Sequence, residues 1–362
     1  MQKPTVYYTS LREDTDSPYG KISKLITKVN LKKWIKNDEI IAIKTHIGEE
    51  GNVRYIRPTY IRKIADTAKK YGGKPFVTDT TSLYPGPRFN AIDNINTAAR
   101  NGFTSETMNA PVIIADGLKG EAGVAVAVKG KYLSKVSVAA VLTDIDKMIV
   151  VSHFKLHEFA GFGGAIKNLG MGCVTKTTKA ACHKVNRPFH VPENCKACKT
   201  CIENCEYDCI SLKNKRIVFN RTTCKGCLAC YFSCPHDAFK LPKNITENLQ
   251  KALVESALGV TKLVKPENII YMNLLIDIVE FCDCAPMSGV PIIPDIGYLL
   301  STDPVAVDKT CIDLIEKHIP KDQKNSHCCV DRDCWDLEKQ NAHIVYAEKM
   351  GLGKGTYKLK RI

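Results

Sequence analysis

Between positions 195 and 234 the chain carries one cysteine pattern twice. Cys195, Cys198, Cys201 and Cys205 are spaced C-x2-C-x2-C-x3-C, and Cys224, Cys227, Cys230 and Cys234 repeat that spacing 29 residues later, followed by Pro235. Three thiolates two residues apart wrap a loop around three corners of an iron–sulfur cube, and the fourth ligand comes from the other half. The expected sets are Cys195, Cys198, Cys201 and Cys234 for cluster 1, and Cys224, Cys227, Cys230 and Cys205 for cluster 2. Zinc would want self-contained sets of four rather than this interlocked repeat. The reading is a two-cluster [4Fe–4S] unit of bacterial ferredoxin type, α+β, inserted at 191–241. The first half departs from the pattern: Glu206 stands where proline is expected, and an extra Cys209 follows, read as a small core residue.

The rest of the composition supports metal over disulfides. Seventeen of the 362 residues are cysteine, none before Cys173. The start, Met1 to Asp16, is polar and unlike a secretory leader, and no apolar run nears the ~18 residues of a membrane span. A reducing cytoplasm is expected, and cluster lability suggests an anaerobic one. Lys and Arg exceed Asp and Glu by 52 − 38 = 14. Two oxidised cubes of about −2 each would offset ~4 of that excess. The lysines are spread along the chain, so neither a nucleic acid nor a membrane is expected as a partner.

Residues 1–190 and 242–362 read as one α/β domain split by the insert. Strands are expected at Val6–Thr9, Ile40–Thr45, Phe76–Asp79, Val112–Ala115, Met148–Ser152 and Ile269–Val279. Helices are expected at Ser17–Ile35 with Ser17 as N-cap before Pro18, at Thr59–Tyr71 closed by Gly72 and Gly73, and at Asn90–Arg100. In DPVAVD, Asp303 caps a helix that starts at Pro304, and Gly351 to Gly355 closes the last helix.

The segment Val151 to Cys173, VSHFKLHEFAGFGGAIKNLGMGC, delivers His153 and His157 to a strand end. Gly161, Gly163 and Gly164 then open a turn into a short helix carrying Lys167, whose N-terminus would offer N–H groups to an anion. The following stretch to Val191 holds Lys176, Lys179, His183, Lys184, Arg187 and His190 with no acidic residue, suiting a carboxylate or phosphate ligand. The GK[ST] ending of a nucleotide P-loop is missing, so ATP is not expected. Cys282 and Cys284 on a strand would point to one side with Asp283 opposite, a candidate third metal site. His327, Cys328, Cys329 and Cys334 are further candidate ligands.

Several motifs carry a family resemblance. KTHIGE at Lys44–Glu49, TDTTSLYPGPR at Thr78–Arg88, the HxxxHxxxGxGGAxKNxGMGC run, CDC at Cys282–Cys284 and DPVAVD at Asp303–Asp308 together resemble the domain-of-unknown-function 362 family. Its members often carry an inserted two-cluster ferredoxin. The His157, glycine turn and Lys167 arrangement also resembles the N-terminal domain of the nickel-dependent lactate racemases. That resemblance implies a lactate-racemase-like α/β fold, Lys167 as the lysine of a pincer cofactor, His157 as an acid–base histidine and His183 as a metal ligand. Two functions are open. In one, an oxidoreductase sends electrons from the insert to a site lined by His46, Asp79, Arg88, His153, His157 and Lys167, with Cys282 and Cys284 as candidate additions and Arg88 gripping a substrate carboxylate. In the other, an electron-transfer or iron–sulfur accessory protein docks on a redox partner.

Overall fold

The apolar runs assemble into one eight-stranded sheet in the computed structural model, which describes residues 2–13, 16–157, 159–319 and 337–362. The strands are β1 (Thr5–Ser10), β2 (Ile40–Lys44), β3 (Lys74–Asp79), β4 (Val112–Ile114), β5 (Lys147–His153), β6 (Ile269–Leu275), β7 (Gly297–Ser301) and β8 (Lys358–Arg361). Their order is β8-β1-β7-β6-β5-β2-β3-β4. β4, β3, β2, β5 and β6 are mutually parallel, and β7 alone runs against its neighbours. The path leaves β2 in one direction through β3 and β4, and in the other through β5 and β6. Such a switch point leaves a crevice beyond the carboxyl ends of the strands.

Alternate residues of each strand enter two separate cores. Ile149 and Val151 of β5 join Ile22, Leu25, Ile61 and Ile64 from helices on one face. Met148 and Val150 join Leu169, Leu253, Val260 and Ile312 on the other. Both faces are covered, which is why β5 and β6 read as unbroken apolar runs. Ser17 caps Pro18–Thr27 through the Gly20 N–H (3.1 Å), and Asp303 caps Pro304–His318 through Val305 and Ala306 (both 2.9 Å), as expected.

Two expected elements are shorter. The first helix stops at Thr27, because Asn30 turns into the left-handed region (φ 49°), and Leu31–Trp34 is a separate turn of helix. β6 ends at Leu275, and Asp277 (φ 44°) turns the chain away before the CDC segment. Cys282 to Cys284 therefore lie on a turn rather than a strand. The residues His327, Cys328, Cys329 and Cys334 fall outside the described residues.

The cysteine-rich unit is built as two copies. Its left-handed backbone positions recur at the interval of the cysteine repeat: Ala197 and Gly226, Lys199 and Leu228, Asp208 and Asp237. Each copy has a four-residue helix, Thr200–Glu203 or Ala229–Phe232. Phe189–His190 pairs with Phe239–Lys240 at the base of the unit, and the hairpin Ile210–Lys213 with Arg216–Phe219 lies at its side.

Candidate functional site

Within the cysteine unit the thiols fall into two groups. Cys201 has Cys195, Cys198 and Cys234 as neighbours, whereas Cys230 has Cys227, Cys224 and Cys205 first and Cys201 of the other group after them. A cavity opens among Cys195, Cys198, Cys201 and Cys234. Backbone N–H groups turn onto sulfurs at matching places, Ala197 onto Cys195 (3.4 Å) and Gly226 onto Cys224 (3.3 Å). Four clustered sulfurs with N–H donors suit an iron–sulfur cube, since the N–H groups offset thiolate charge. Burial pushes Cys201 up to about 11, and so it would stay a thiol without a metal. Cys209 packs in the core of the unit.

The second cysteine loop lies against the α/β domain. A side chain at Gly226 would collide with the His183 carbonyl oxygen, and Arg187 Nε donates to the Cys224 carbonyl (2.6 Å). Tyr207 donates to the Leu83 carbonyl (2.6 Å), and Phe232 meets Phe159 at 6.0 Å between ring centroids. His183, Leu83 and Phe159 all line a cavity of about 120 Å3 at the carboxyl ends of β2, β3 and β5.

The cavity wall is dense with charge in matched pairs. Lys44 is buried and reaches Asp79 (3.1 Å) and Asn168 (2.7 Å), and a side chain at Gly172 would clash with its Nζ. Burial would raise the Asp79 carboxyl, but the Lys44 and Arg88 charges outweigh it and hold it below its ordinary value. Asp79 Oδ2 has no partner among the described residues. Lys179 donates to Thr80 (2.7 Å), and burial brings it down to about 8. Asp283 binds His153 (2.8 Å) and Lys155 (2.8 Å); their charges overcome the upward push of burial and keep it well below the usual carboxylate range.

Beside the cavity the turn of 282–284 brings Cys282, Cys284 and His157 together, with donor atoms within 4.8 Å of one another, so that the three could hold a metal ion. The Cys284 thiol donates to Cys282 (2.7 Å), and Lys167 Nζ donates to the same sulfur (3.3 Å). That Cys284 hydrogen bond, with Lys167 and His157, holds Cys282 well below the ordinary thiol range against the cost of burial, while Cys284 is pushed far above it. Burial would lower the Lys167 ammonium, yet the two sulfurs outweigh it and raise it.

A model of the family described as "Domain of unknown function (DUF362)" matches residues 41–313, three-quarters of the chain. This chain belongs to that family. No curated protein matches it significantly. Among solved structures, the DUF362 chain is similar to the lactate racemase apoprotein from Thermoanaerobacterium thermosaccharolyticum (TM-score 0.38, 13% identity, 75% of this chain and 50% of that one). It is also similar to a protein from Thermotoga maritima (TM-score 0.48, 11% identity, 83% and 60%). The chain spans half to three-fifths of the length of these proteins.

The DUF362 motifs converge on the cavity, but several residues stand in other roles than expected. The helix after the glycine turn, Ala165–Gly172, does not offer its first N–H groups to a ligand. Asp308 of DPVAVD accepts from Ala165 (2.8 Å) and Ile166 (2.9 Å), and Gly164 lacks a side chain because the Asp308 carboxylate sits there. Gly163 and Gly164 still line the cavity, while Gly161 (φ 78°) turns the hairpin between Lys155–His157 and Gly161–Gly163. Arg88 gives Nε and Nη2 to Glu49 (both 2.9 Å), which occupies the fork expected for a substrate. His46 accepts from the Gly48 N–H (2.9 Å) and burial drives it down to about 3, so it stays neutral rather than shuttling protons near pH 7. His153 has acceptors at both nitrogens, Asp283 (2.8 Å) and the Ile276 carbonyl (2.7 Å).

His183 is buried, with Nε2 at Tyr84 Oη (3.2 Å) and Nδ1 at Asn186 (2.9 Å), and burial lowers it to about 3. The basic stretch around it is a helix, Lys176–His183, rather than an open cationic loop. The sequence reading gave Lys44, Lys155 and Asp283 no chemical role, although Lys44 and Asp283 stand in the KTHIGE and CDC motifs.

Proposed function

We propose that this protein is an iron–sulfur oxidoreductase in which two [4Fe–4S] clusters held by 195–234 pass electrons to the cavity of the α/β domain. The observation that carries this reading is His183: its backbone touches the second cysteine loop at Gly226, and it lines the cavity. The clusters would supply one electron each. Cys195, Cys198, Cys201 and Cys234 hold the outer one, where exposed Cys198 faces a redox partner protein. Cys224, Cys227, Cys230 and Cys205 hold the inner one. Tyr207 and Arg187 clamp the unit to the domain, which keeps the tunnelling path short. Tyr84 and Asn186 fix the His183 ring between them. The cavity, walled by paired charges, takes a small substrate away from bulk water.

A carrier that merely docks on a partner needs no cavity at the inner loop, so the enzyme reading is favoured. Protein purified without oxygen is expected to hold close to eight irons per chain, with two paramagnetic signals on dithionite reduction. Zinc in place of iron, or iron for one cube only, would remove the reading.

A further inference from the structure

We propose that Cys282 and Cys284 form a redox-active pair, a disulfide when oxidised and a thiolate–thiol couple when reduced, at the end of the electron path. The proposal rests on the electron-transfer reading above and names its acceptor. The two sulfurs lie 2.7 Å apart on a turn closed by the Ala285 N–H on the Cys282 carbonyl (2.9 Å). Donors converge on one sulfur of the pair: Lys167 Nζ (3.3 Å), the Cys284 N–H (3.4 Å) and the Cys284 thiol all point at Cys282. A charged sulfur beside a protonated one is the reduced state of a dithiol whose second member closes the disulfide.

His157 decides between this pair and a metal site. Its Nδ1 accepts from the backbone N–H groups of Phe159 (3.1 Å) and Ala160 (3.2 Å). That hydrogen-bond pattern assigns the ring hydrogen to Nε2. A ligating imidazole has the reverse arrangement, a lone pair on the metal and its remote N–H on an acceptor. His157 thus presents a hydrogen, not a lone pair, to Cys282. Asp283 between the two cysteines is turned away onto His153 and Lys155, which anchors the turn.

The position suits a converter from one-electron to two-electron chemistry. Cys284, His157 and Lys167 line the same cavity as His183. Reduction breaks the sulfur–sulfur bond with two electrons, one from each cluster, and one proton from solvent. Cys282 leaves as a thiolate paired with Lys167, and Cys284 as a thiol.

Full-chain protein, purified without oxygen, is titrated with dithionite, and its thiols are trapped by alkylation at each point. The oxidised protein is expected to consume about four electrons per chain, two for the clusters and two for the disulfide. The 282–284 peptide should change from closed to doubly alkylated. Cys284→Ser should keep its iron and cluster signals and consume about two. Wild-type protein that consumes two electrons with both cysteines open throughout overturns the proposal, as does one tight zinc per chain that Cys284→Ser loses. If Cys284→Ser does not fold, the alkylation state of the wild-type peptide decides. Equilibration in thiol–disulfide buffers reads the pair even in protein without iron, so loss of the cluster reading and loss of this one are told apart.

Discussion

The two halves of the cysteine unit are near copies set in different surroundings. Cys198 is exposed, while its counterpart Cys227 is half-buried against the α/β domain. Ala197 holds a left-handed turn with a side chain (φ 52°), whereas Gly226 at the same place (φ 77°) has none because His183 fills the space. Tyr207 reaches across to Leu83, and its counterpart His236 is exposed. A duplicated motif has thus been divided between a solvent side and a cavity side. Under the proposed function, that polarity, not the number of cysteines, is what would make a path through the protein.

The largest expected effect separates the two ligand sets. Cys227→Ala should abolish electron delivery to the cavity. Cys198→Ala should leave the inner signal reducible by dithionite while blocking reduction by a protein donor. Iron content and electron paramagnetic resonance on both variants check this, and identical losses in the two would break the comparison.

Gly226→Ala should cost about 2 kcal/mol or more in denaturant unfolding, combining a collision with His183 and the ~1 kcal/mol of a left-handed alanine. Ala197→Gly relieves that same conformational cost and should be neutral or stabilising by up to about 1 kcal/mol.

A histidine outside the cysteine unit tests whether acid sensitivity belongs to the α/β domain. His343 is buried against Phe162, neither nitrogen has a partner among the described residues, and burial lowers it to about 3. The unfolded chain takes up the proton near pH 6.5 while the folded one resists it. His343 should therefore cost at most about 1.4 kcal/mol of stability per pH unit as pH drops from about 6.5 towards 3, and buried His46 and His183 act in the same window. His343→Leu should make that limb shallower in thermal melts without abolishing it and leave the cluster signals unchanged.

The smallest effect is on docking. Tyr207→Phe loses the bond to Leu83 and should cost about 1 kcal/mol. His236→Ala should stay within about 0.5 kcal/mol. Protection of the Leu83–Tyr84 amides from hydrogen exchange should drop in the first variant alone.

Much of the frame was legible in the chain. The strands, the Ser17 and Asp303 caps and the duplicated cysteine unit depend on neighbours a few residues away, and spacing records such geometry directly. The Ser17–Ile35 helix was read too long because its apolar period continues through Asn30, and periodicity does not report a left-handed turn. The partners of Arg88, His46 and the 165–172 helix N-terminus were not legible for a different reason. Each residue type suited the expected job, but Glu49, Gly48 and Asp308 had already taken the hydrogen bonds.

Residue order records local geometry: a sulfur every third residue around a loop, an apolar period along a strand, an acidic cap before a proline. Pairing at long range exists only once the chain has closed on itself. Lys167 meets Cys282 across 115 residues, and Asp308 meets Ala165 across 143. A buried charge must find a partner wherever the fold brings one. No periodicity records which of the chain's many lysines and carboxylates that will be, so the cavity's charges, its neutral histidines and the face that meets the inner cysteine loop emerge only when the sheet closes.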